Sequence, residues 1–100
     1  IKVMLAANTF NQSKIVVMYK LVPVGYAGNL DDLEFQFFNT DGKPDSGELV
    51  PQNDLTTFTD YEFTIEDTDD FDAFQIKISL LSWRPPYIPR VKDFRAIALA

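Results

Sequence analysis

A chain of 100 residues is the size of one domain and hides roughly two-thirds of its unfolded surface on folding. Its 46% hydrophobic residues, with nine Phe among them, supply a core. The absence of Cys and His excludes disulfides, thiolate nucleophiles, the commonest metal ligands and any Ser-His-Asp or Cys-His catalysis. A net charge of −6 argues against a nucleic-acid partner, and no apolar run approaches the ~18 residues of a membrane helix.

The dominant period is two. "IKVMLAAN" at the start is β-rich and expected to pair early. "IVVMYKLV", Ile15 to Val22, is apolar on both faces except at Lys20, the pattern of a central covered strand. "EFQFFN" is less tidy, with Phe35 and Phe37 expected inward and Glu34 and Gln36 outward. In "YEFTIED", Tyr61, Phe63 and Ile65 alternate with Glu62, Thr64 and Glu66. In "FQIKISL", Phe74, Ile76, Ile78 and Leu80 alternate with Gln75, Lys77 and Ser79. Both read as half-buried strands. Pro23 and Gly25, Gly28-Asn29, "NTDGKPDSGE" and "RPPYIP" supply turn chemistry between them, with Asp41-Gly42 a ready-made turn. No window of about a dozen residues carries a helical stripe.

The chain closes on "IPRVKDFRAIALA". Its last apolar residues would gain nothing by fraying into water, so this segment is expected to be a strand tied into a sheet. Ile97 and Leu99 share a phase with Val91 but also with Asp93 and Arg95, while Phe94 sits in the other. A bulge near Asp93-Phe94 would bring the apolar residues into one register; otherwise the strand is covered on both sides. The expected architecture is all-β, a jelly-roll-like antiparallel β-sandwich of about six to eight strands forming one domain over residues 1–100. Because the chain begins on Ile1 rather than Met, it is expected to be the C-terminal piece of a longer polypeptide.

The charge is unevenly placed. Fourteen of the fifteen acids lie between Asp31 and Asp72 with only Lys43 against them, leaving the middle near −13. The ends carry the other eight bases and Asp93, near +7. Antiparallel pairing would interleave the two sets on one solvated surface. The alternative is a bipolar domain that packs against a neighbour, acidic side to basic side.

The densest chemistry is "EDTDDFD", which offers Asp67, Asp69, Asp70 and Asp72, with Glu66, as oxygen ligands of the kind Ca²⁺ selects. It lacks the glycine and closing glutamate of an EF-hand, and a solvated hairpin loop explains the same residues, so we expect no metal and no cofactor. Paired carboxylates on loops and outward faces, with no burial to raise one pKa, give no glycosidase site, and we expect no enzyme. Trp83, Tyr87 and Tyr26 are the candidates for a sugar-stacking platform. The competing reading places Trp83 on the rim of the core, at the end of "LLSW".

In strand order and wording, "IKVMLAAN", "KIVVMYKLVPVG", "FTDYEFTIED", "FDAFQIKISLLS" and "PRVKDFRAIALA" resemble a β-sandwich domain of contractile-tailed bacteriophages. That domain often forms the C-terminal part of baseplate or tail-fibre-associated proteins. The resemblance spans nearly the whole chain and departs at "WRPPYIP", where the family leads one to expect a shorter polar loop. It implies a virion structural module in the tail, making protein–protein contacts with other tail or baseplate proteins in a large assembly. It offers no catalytic residues, and neither nucleic acid nor membrane is expected as a partner. The interface residues expected are Trp83, Arg84, Tyr87, Arg90 and Lys92 on the basic end, with the Asp67 to Asp72 loop on the acidic one. The alternative is a carbohydrate-binding module of a tail fibre that recognises a host-surface glycan.

Overall fold

The computed structural model describes residues 1–10, 13–54, 56–66, 68, 70–82 and 90–98. Six strands lie among them: β1 Lys2–Asn8, β2 Lys14–Pro23, β3 Gln36–Phe37, β4 Thr59–Thr64, β5 Phe71–Leu81 and β6 Arg90–Ile97. They form two antiparallel three-stranded sheets, ordered β4-β1-β6 and β3-β2-β5. The helical content of the described residues is two short 3-10 turns, Leu30–Asp32 and Phe38–Thr40. The all-β, antiparallel expectation holds.

Each sheet is centred on one of the apolar N-terminal strands, which is thereby paired on both edges. From β1, Val3, Leu5 and Ala7 point inward with Tyr61 and Phe63 of β4 opposite Leu5 and Val3. From β2, Ile15, Val17 and Tyr19 join the same cluster, so the two sheets share one core. Phe38 fills the middle. Its ring lies edge-on to Tyr19, centroids 4.9 Å apart, and to Phe63 at 6.0 Å.

The outer face of β2 is covered as its composition implies. Lys20 is buried, its Nζ donating to the Leu30 carbonyl at 3.0 Å and lying 4.5 Å from the centroid of the Phe35 ring. The aliphatic stem thereby stays out of water while the charge keeps a carbonyl and a π-face.

The expectation for Phe37 is overturned. It is 49% exposed, and its neighbour Phe38 takes the core position. Phe37 pairs with Met18, out of the core phase of β2, and Gln36 with Tyr19, within it, so the register of β3 turns Phe37 out and leaves Phe38 to the interior. Phe35, also expected inward, instead lies against Lys20 and Lys77. The Asp41-Gly42 turn forms as expected. Gly42 has φ +78° and bonds from its N–H to Phe38 O at 2.7 Å; a Cβ there would collide with Val16 Cγ1.

Burial is not even across the core. On β5, Phe74, Ile76, Ile78 and Leu80 stand opposite Leu21, Tyr19, Val17 and Ile15, hence on the inner face. Yet the first three are only half-buried and Leu80 is 46% exposed. On the other sheet Phe94 of β6 is 47% exposed. The apolar layer is closed toward β4 and open toward β5 and β6.

Candidate protein–protein interface

The site is built by a bulge. Pairing of β1 with β6 runs Val3 to Ala96 and Met4 to Arg95, shifts, and resumes with Ala6 to Lys92, Ala7 to Val91 and Asn8 to Arg90. The extra residue sits where the sequence called for it: Asp93 has φ 53°, the left-handed conformation an Asp tolerates better than most side chains. Lys92 and Arg95, three apart, would point to opposite faces of a regular strand. The bulge puts both in the phase of Met4 and Ala6, with Arg90 beside them, on the outer face. It places Val91 and Ala96 against the core. Contrary to the expectation of a single apolar register, the same shift sends Ile97 outward, opposite Lys2 and 42% exposed.

Across the sheet, β4 carries the opposite sign. Asp60 pairs with Ala6 and Glu62 with Met4, so both share the outer face with the β6 bases. Each row therefore reads acid, apolar, base: Asp60, Ala6, Lys92 and then Glu62, Met4, Arg95. Two strand spacings, roughly 10 Å between backbones, separate the acidic strand from the basic one, and among the described residues no ion pair spans them. The ion pairs among the described residues are Lys2–Glu62 at 3.3 Å and Lys43–Glu48 at 2.8 Å. Interleaving is thus confined to Lys2 and Glu62. Arg90, Lys92 and Arg95 are exposed with no carboxylate partner among the described residues, although Lys92 Nζ lies 4.3 Å from the centroid of the Phe58 ring.

The two edges of this sheet are treated differently. Outside β4, Asp45 donates its N–H to Glu62 O at 2.8 Å, and its carboxylate accepts from Thr64 N and Oγ1 at 3.0 and 2.7 Å. The Tyr61 hydroxyl accepts from Val50 N at 2.8 Å. The loop therefore satisfies the strand edge that would otherwise template another chain. Burial pushes the Asp45 carboxyl up, but hydrogen bonds from Asn39 and Thr64, with Lys2 nearby, outweigh it and hold it below the usual carboxylate value. Asp54 is likewise held low, by the N–H groups of Thr57 and Thr56 and the Thr57 hydroxyl. These are carboxylates kept ionised to staple loops, the reverse of a raised general acid.

Of the expected contact residues, Arg90 and Lys92 sit together on β6, whereas Trp83, Arg84 and Tyr87 lie outside the described residues. Asp67 and Asp69 of the acidic loop also lie outside them. Asp70 is exposed, and the Asp72 carboxylate accepts from Gly25 N at 3.1 Å, tying one loop to another. Among the described residues no three His, Cys, Asp or Glu gather as a metal site. Tyr26 is half-buried, its hydroxyl donating to Asn29 O within its own loop at 3.0 Å. A cleft of about 640 Å³ opens beside the start of β2, lined by Ser13, Lys14, Asp41, Lys43 and Glu48 over Ile15 and Leu49. The buried Ser13 hydroxyl has no hydrogen-bond partner among the described residues.

Sequence reasoning placed Arg90 and Lys92 but not Arg95, Asp60 or Glu62. The signal was present, because counting through the expected bulge shifts Arg95 by one phase onto the face of Lys92. Compared with known proteins, the chain matches no family model, no curated protein and no solved structure.

Proposed function

We propose that this chain is a structural module of a contractile bacteriophage tail, in the baseplate or fibre region of the virion. It works by subunit contact and carries no catalysis and no cofactor. The observation that supports this best is the outer face of β6, where three bases and Ile97 are aligned by a bulge and left without carboxylate partners within the described chain. Exposed Arg beside exposed apolar surface is the composition of protein interfaces. The phage assignment itself draws on the wording of the five strands.

The test is immunogold electron microscopy of purified particles with an antibody against the chain, alongside mass spectrometry of the same particles. Label at the distal end of the tail is expected; the chain's absence from the particles by mass spectrometry would overturn the assignment. Arg90→Ala with Lys92→Ala is expected to lower incorporation about tenfold, the effect of losing ~1.4 kcal/mol of contact energy. The second reading, a module that binds a host-surface glycan, draws on the cleft beside Ser13, whose hydroxyl has no partner among the described residues. A glycan array separates the two: a specific hit lost on Ser13→Ala would favour it.

A further inference from the structure

The register of the outer face has a symmetry that singles out one partner. Acids form one column on β4, bases form another on β6, and Met4 and Ala6 lie between them, with Lys2 at the end of the same middle column paired to Glu62 at 3.3 Å. A second copy laid on this face by a two-fold axis parallel to β1 exchanges left for right and leaves the rows in place. Its Asp60 then falls over Lys92 of the first copy and its Glu62 over Arg95, and the reciprocal pairs form on the other side. Met4 meets Met4 on the axis. A two-fold axis across the strands would instead stack acid on acid. The charge pattern therefore accepts one orientation and rejects the other.

We propose that the outer face of the β4-β1-β6 sheet is a self-complementary docking surface for a second copy of this chain, related by a two-fold axis along β1. It rests on the reading of β6 as a contact face and names the partner. Three features fit. Asp60, Lys92 and Arg95 are in no ion pair among the described residues, and Glu62, although paired with Lys2, keeps an exposed carboxylate, so these charges are free to face outward. The middle of the central column is small or flexible and apolar, Ala6 buried and Met4 half-buried, which lets two sheets approach, while Lys2 at its end is held by Glu62 of its own chain. Closed two-fold contacts of this kind are the commonest form of self-association, because every favourable contact occurs twice.

Sedimentation of the chain at ~100 µM separates the outcomes. At about 0.03 M salt the mass is expected to double and stop there, and the apparent dissociation constant should rise about tenfold or more by ~0.5 M salt. Lys92→Glu with Arg95→Glu should leave a monomer, as should Asp60→Lys with Glu62→Lys. An equimolar mixture of those two variants should recover the dimer, since acid again faces base in every pair. Thermal melts by circular dichroism establish that each variant is folded. Arg95→Gln with Asp60→Asn, which removes charge without adding repulsion, gives an intermediate constant if a reversal variant fails to fold. A wild-type monomer at low salt, growth beyond a dimer, salt-insensitive association or dimers that persist in both reversal variants would each overturn the pairing. A monomeric chain that nonetheless labels the tail would leave the virion assignment standing and assign this face to a different subunit.

Discussion

Asp45 shows how a single side chain can close a loop, guard an edge and set a pH limit. Its carboxylate takes bonds from Asn39 and from both groups of Thr64, and its N–H goes to β4. These bonds favour the ionised form, so the folded-state pKa lies below the unfolded one. The stability they contribute is present above about pH 4 and is lost as pH falls through the lowered folded value. Urea midpoints measured from pH 7 downward should therefore fall in acid. Asp45→Asn, which has nothing to titrate, should fall less steeply, by at most about one proton's worth of slope. Equal slopes in the two proteins would mean that Asp45 does not titrate on unfolding. Gly42 belongs to the same scale: its positive φ and the closeness of Val16 leave no room for any Cβ.

At the scale of the element, β6 depends on one residue out of phase. Asp93 in the left-handed region inserts the extra count that turns Arg95 to the side of Lys92 and Ala96 to the core. A β-branched side chain cannot take that conformation cheaply. Asp93→Val should cost about 1–2 kcal/mol in denaturant unfolding, whereas Asp93→Gly should stay within ~0.5 kcal/mol of wild type. Comparable losses in both variants would trace the effect to the carboxylate rather than to the backbone. Strand β3 makes the opposite point. Its two ladder pairs, Met18 with Phe37 and Tyr19 with Gln36, are enough to turn Phe37 out and Phe38 in.

For the whole molecule, the residue that joins the halves is Phe38, which is in neither sheet. It touches Tyr19 of β2 and Phe63 of β4 and is fully buried. Truncation to Ala removes contacts from both sheets at once and should cost about 3–5 kcal/mol, a large part of the stability of a domain this size. Phe38→Leu should cost less than half as much, about 1–2 kcal/mol, if volume rather than the ring edges carries the packing. A Phe38→Ala loss under ~1 kcal/mol would show that the two sheets hold together without it. The open flank between β5 and β6 lies on the other side of this anchor, where inner-face residues are only half-covered.

The alternation of Tyr61 with Glu62 and of Ile76 with Lys77, the covered character of β2, the Asp41-Gly42 turn and the bulge at Asp93 could all be read in the chain. Each is a local consequence of period, turn preference or a conflict of phase within a few residues. Arg90 and Lys92 were legible as a basic end for the same reason. The neighbours were not. That β1 separates β4 from β6, so that acids and bases face outward as two columns instead of neutralising each other, is a matter of strand order. So is the choice of Phe38 over Phe37 for the core. Strand order and the filling of a shared interior are settled by contacts between residues far apart in sequence, among which local pattern does not discriminate.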